Sequence, residues 1–173
     1  MSIFAAASGR RARLSLRGRV AVVLLALMAG AGTSVSAAAE PAKDPDLKVI
    51  ETLYAAFEKG DVEAIVALMD DSVEWVAPGP AIIPFAGTFK GKEGIRRFFT
   101  MAVERLEVRD QKVTGFLSKR GLVAALGFED MLVKSTGKTY RSNWVHLYTL
   151  RHGKIVKFEE FVDTAAQAAA FAQ

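Results

Sequence analysis

The chain has 173 residues, with 23 basic and 19 acidic side chains and no cysteine. The length suits one domain, and the lack of cysteine excludes disulfides, thiolate zinc sites, thiol catalysis and a lipid-modified cysteine anchor. The isoelectric point of about 9.4 misleads, because residues 1–39 hold Arg10, Arg11, Arg13, Arg17, Arg19 and no acid, leaving 18 basic and 19 acidic groups beyond them and no field to steer nucleic acid.

Residues 1–39 read as a signal peptide. Arg10 to Arg19 is a basic segment, and Val20 to Met28 (VAVVLLALM) is an apolar core of nine residues, short for a bilayer span. Gly30, Gly32, Thr33 and Ser34 break it, and cleavage is expected after Ala37 or Ala39. An uncleaved anchor is the alternative. Arg10-Arg11 resembles a twin-arginine signal, but Arg13 stands where a bulky apolar residue belongs, which favours ordinary secretion. The expected location is periplasmic or secreted, with no membrane contact after cleavage.

Residues 40–44 form a linker to a domain over 45–173. Asp44-Pro45 reads as an N-cap with proline at the first helical position. Leu47, Ile50, Leu53, Tyr54 and Phe57 then recur on one helical face until Gly60. Asp61 caps a second helix containing Val62, Ile65, Val66, Leu68 and Met69. Asp70-Asp71-Ser72 reads as a turn, followed by a strand over 73–77 with Val73, Trp75 and Ala77 on one side. Pro78 to Pro84 is an apolar, irregular loop, and 85–91 crosses to a third helix over about 92–106, with Ile95, Phe98, Phe99, Ala102 and Leu106 buried.

Four strands are expected over about 107–118, 122–133, 139–151 and 154–162. The turns at 135–138 and at His152-Gly153 make them an antiparallel meander. Thr164 to Gln173 reads as a short alanine-rich helix. Helices first and strands after argue an α+β fold with helices on one sheet face.

The same residues resemble the NTF2-like family, in its SnoaL-like, ketosteroid-isomerase-related branch. Tyr54 to Ala67 (YAAFEKGDVEAIVA) is similar to the family's opening helix pair, and Trp75 with Pro78-Gly79 to its first strand and loop. Pro84 to Gly91 (PFAGTFKG) with Ile95 to Phe99 (IRRFF) matches the crossing into helix three, and Trp144 to Thr164 the last hairpin. The likeness spans about 45–171. It implies a cone, an α+β roll of three N-terminal helices on a curved antiparallel sheet, enclosing a mostly apolar pocket. It also implies a homodimer through the outer sheet face, where Val145, Leu147 and Thr149 alternate with the inward set.

In the isomerases the chemistry needs a carboxylate base, a tyrosine and a protonated acid. The resemblance places the base at Ala77, which accepts no proton. It places the tyrosine at Leu53, one residue and about 100° of helical rotation from Tyr54, and the acid donor at His146. The resemblance therefore implies the fold and not the isomerase machinery.

Three residues are candidates for acid–base work: His146, Glu129 and Asp163. His146 shares a strand face with Trp144 and Tyr148 and can serve as acid or base; its bland alternative is a hydrogen-bonded structural histidine. Glu129, between Phe128 and Met131, and Glu159 and Asp163, sharing one face of the last strand, would gain raised pKa values among apolar neighbours. The alternatives are a solvated face or a salt bridge to Lys157 or Arg141, and for Asp163 a helix cap, the preferred reading. Trp75, Tyr54, Phe85, Trp144, Tyr148 and Phe161 are candidate ligand contacts, or simply core. Neither a metal nor another cofactor is expected.

The expected function is binding of a small apolar or aromatic molecule in the cone, with acid–base chemistry of the isomerase, hydratase or hydrolase type. The competing expectation is a non-catalytic binding or dimerisation module.

Overall fold

The computed structural model describes residues 44–173. The expected signal peptide and the linker up to residue 43 lie outside the described residues. Asp44 caps α1 (Pro45–Lys59) by accepting from the Asp46 N–H, and Gly60, at φ 67°, closes it in the left-handed conformation that glycine adopts most cheaply. Asp61 then caps α2 (Val62–Ala67) through the Ala64 N–H. These two caps set a tight corner that lays both helices over the sheet.

The sheet has six strands: β1 (Met69–Ala77), β2 (Gly87–Lys90), β3 (Leu106–Lys119), β4 (Leu122–Val133), β5 (Thr139–Arg151) and β6 (Lys154–Phe161). Between β2 and β3 lies α3 (Gly91–Arg105), and after β6 comes α4 (Thr164–Phe171). The order across the sheet is β2-β1-β6-β5-β4-β3, antiparallel except where β1 runs parallel to β6. This is the α+β cone, a curved sheet with helices against its inner face.

Two expectations are corrected. Met69 is fully buried in β1, opposite Ile155, rather than in the second helix. Asp70 does form its local turn bonds, accepting from the Ser72 N–H and hydroxyl, but they sit inside a strand whose register with β6 shifts between Met69 and Glu74. The crossing after Phe85 contains β2, a four-residue edge strand with only Phe89 buried, too short to show a period.

Inward and outward residues alternate cleanly along β4 and β5. Val123, Ala125, Gly127, Glu129, Met131 and Val133 face in, as do Tyr140, Ser142, Trp144, His146, Tyr148 and Leu150. One apolar cluster fills the space between α1, α2 and the sheet. A second joins Ile83, Phe85, Met131 and Tyr140 to Phe171 of α4. Phe98 and Met101 of α3 touch both clusters.

Candidate active site

A cavity of about 420 Å³ opens between the two clusters. Phe57, Ile65, Trp75, Phe85, Phe98 and Phe99 give it an apolar wall. Phe98, Phe99 and Ala102 are only half-buried because one side of each faces this space. Against that wall stand polar side chains that include Glu129 from β4, Tyr140 and His146 from β5, Glu160 from β6 and Gln167 from α4, with the exposed Glu107, Gln111 and Lys134 also on the lining.

His146 is buried and held on several sides. Its ring stacks on Trp144, 4.0 Å between centroids, and meets Phe158 edge-on at 5.1 Å. Nδ1 lies 2.8 Å from the Tyr54 hydroxyl, which in turn accepts from the Tyr148 hydroxyl at 3.1 Å. Nε2 lies 3.5 Å from Oε1 of Glu160, its register partner across β5 and β6. That is an ion-pair distance without hydrogen-bond geometry, and Nε2 has no hydrogen-bond partner among the described residues.

Glu129 is 6% exposed, and its Oε1 is likewise unpartnered. Burial pushes its carboxyl up to about 8; the negative charge of Glu160 adds to the rise, and a hydrogen bond from Tyr140 opposes it. At neutral pH it is mostly the protonated acid. Tyr54, Tyr140 and Tyr148 are all held above the ordinary tyrosine range, burial being the largest cause for each, so their hydroxyls stay protonated. Gln167 donates to the Tyr140 hydroxyl at 3.0 Å and ties α4 to the wall. The site thus combines a neutral acid, a second carboxyl group and an imidazole on one apolar surface.

The structure places the other candidates differently. Trp75 and Phe85 line the cavity. Tyr54, Trp144 and Tyr148 do not; they pack behind His146 as its support. Asp163 is not in the cavity: it caps α4, accepting from the N–H groups of Ala165 and Ala166. Phe161 is 56% exposed on the outer face. Its correction has a local cause, since the pairing of β5 with β6 shifts between Thr149 and Leu150, so Phe158 and Glu160 turn inward and Phe161 outward. Glu159, also outward, pairs with Lys157 at 2.9 Å.

Glu160, Tyr140 and Gln167 were not singled out by the sequence. Ala77 and Leu53 are both buried and bring no proton-active group. Among the described residues, no group of three or more histidine, aspartate or glutamate side chains is arranged to hold a metal ion.

A profile of the SnoaL-like domain matches residues 50–158. No protein of curated function matches the sequence. An NTF2-like protein from Burkholderia xenovorans LB400 is 29% identical with a TM-score of 0.69, over 74% of this chain and 96% of that one. TerC, co-crystallised with polyporic acid, is 28% identical with a TM-score of 0.67, over 74% and 98% of the two chains. A candidate SnoaL-like polyketide cyclase from Mesorhizobium loti shares the fold at 22% identity and a TM-score of 0.56, over 66% and 97%.

Proposed function

We propose, from the premise that this chain belongs to the SnoaL-like domain family, that its cavity binds a small apolar or aromatic molecule and performs acid–base chemistry on it. The observation that carries this reading is the pairing of Glu129 with Glu160 in one apolar cavity. Two carboxyl groups whose environments differ divide the roles: the protonated Glu129 donates to a substrate oxygen, and Glu160 accepts a proton from carbon or water. His146 adds an imidazole beside them. Isomerase, hydratase and hydrolase chemistry all fit such a set.

The test uses the domain over residues 44–173 and polyporic acid, the compound that accompanies TerC, followed by a library of aromatic ketones and epoxides. Retention in native mass spectrometry by the wild type and not by Trp75→Ala supports the cavity. Turnover of a retained compound that Glu129→Gln abolishes, with binding kept, supports the chemistry. Binding of nothing in the library would sink the first half, and turnover untouched by Glu129→Gln the second.

Ala77, at the position of the isomerase base, favours a second reading, a non-catalytic binding or dimerisation module. Either reading suits a homodimer through the outer sheet face, where Val145 and Leu147 are half-buried and Phe161 is exposed. We also infer export to the periplasm or medium, from residues 1–39. Expression in an exporting bacterial host should yield a chain shortened to Ala38 or Glu40, and a secreted or cell-retained product that keeps Met1 would refute it.

A further inference from the structure

The Tyr148–Tyr54–His146 chain of hydrogen bonds runs through a fully closed part of the core and has one direction that satisfies every proton. Tyr148 is fully buried, and among the described residues its only hydrogen-bond partner is the Tyr54 oxygen. Tyr148 must therefore donate to Tyr54, since the reverse direction leaves the Tyr148 O–H without an acceptor in a site that water does not reach. With its oxygen accepting, Tyr54 turns its own hydrogen to the remaining neighbour, Nδ1 of His146. Nδ1 is then an acceptor, and the single proton of the neutral imidazole sits on Nε2. There it faces Glu160 Oε1 at 3.5 Å, at the cavity wall.

We propose that Tyr54, oriented by Tyr148, is a positioning residue that fixes His146 as its Nε2–H tautomer, so that the histidine turns a hydrogen-bond donor, and not a base, toward Glu160. The ring cannot readily evade this assignment. Trp144 covers one face of the imidazole in a near-parallel stack, and Phe158 closes an edge, so a flip that exchanged Nδ1 and Nε2 would have to displace both. The consequence for the proposed chemistry is a division of labour. Proton acceptance falls to Glu160, the carboxyl group that the Nε2–H faces. That consequence rests on the cavity being a ligand site; the tautomer does not.

The experiment is ¹⁵N spectroscopy of histidine-labelled domain at about pH 8, above the ordinary imidazole range, with His152 assigned by its substitution to glutamine. The expected wild-type spectrum shows His146 with a bare, hydrogen-bonded Nδ1 and a protonated Nε2 in one population. Tyr54→Phe and Tyr148→Phe keep the rings that pack here, and each should bring in a measurable Nδ1–H share, an effect that lost packing alone does not produce. A wild-type His146 protonated at Nδ1, or at both nitrogens, overturns the proposal. Either variant keeping the wild-type imidazole spectrum removes that tyrosine from the relay. Should both variants fail to fold, the wild-type spectrum alone decides the tautomer, and neither result depends on finding a ligand.

Discussion

Gly127 and Trp144 face each other across β4 and β5, and the Trp144 indole occupies the volume that a Cβ on residue 127 would need. The Lys112 carbonyl crowds the same point from β3. This glycine lets the indole lie flat across the strand and slide under His146, so one missing methyl group sets the plane of the catalytic candidate.

Gly127→Ala should therefore destabilise the fold by about 1–3 kcal/mol, the usual range for forcing extra volume into a packed core. Gly115→Ala, where a Cβ meets nothing within 4 Å, should stay within about 0.5 kcal/mol of wild type. Urea unfolding of both variants checks the contrast, and equal midpoints would show that Trp144 moves aside at little cost.

Glu129 should make stability fall with rising pH. Its folded pKa of about 8 lies above the ordinary 4.5, so the folded protein holds a proton that the unfolded chain releases. The contribution is fully present below about pH 4.5 and lost as pH rises through about 8. The shift sets a ceiling of roughly 5 kcal/mol on that loss. Glu129→Gln should flatten the dependence and exceed wild type in the alkaline range. Urea midpoints at about pH 5 and about pH 9 decide it; an unchanged difference between the two proteins would mean that no such proton is held.

Asp163→Ala should cost about 1 kcal/mol, as loss of a helix N-cap does. Its effect on any turnover, corrected for folded protein, should be absent, because among the described residues the carboxylate bonds only the backbone of α4. A specific loss of rate in a fully folded variant would restore Asp163 to the chemistry.

The outer face should pair two copies. Leu147→Arg combined with Phe161→Glu should halve the mass found by sedimentation while leaving the circular dichroism spectrum intact. A wild-type domain that sediments as a monomer at every concentration would end the dimer reading.

Legibility in the sequence followed the range of the interaction. Asp44-Pro45, Gly60 and Asp61 act within one helical turn, and each fixed its boundary as expected. The hairpin turns likewise announced the meander. Glu160 escaped because strict alternation from the buried Ile155 aims 157, 159 and 161 inward, whereas the irregularity against β5 reverses the parity at Phe158. His146 stood out as one of only two histidines. Its relay could not be read, since Tyr54 meets it across 92 residues of chain. Gln167 was hidden in an alanine-rich tail whose composition gives no hint that one polar side chain is buried.

The parallel seam between β1 and β6, where Trp75 lies beside Phe158, imposes an order of events on a growing polypeptide. The β3–β6 hairpins can close from neighbouring segments as they emerge from the ribosome, but β1 must wait, with its edge open, until β6 has been made. Trp75 stacks on Phe158 at 3.7 Å only after that wait, and Gln167 of α4 follows later still. A nascent chain of this protein therefore cannot complete its core until nearly all of this domain is synthesised.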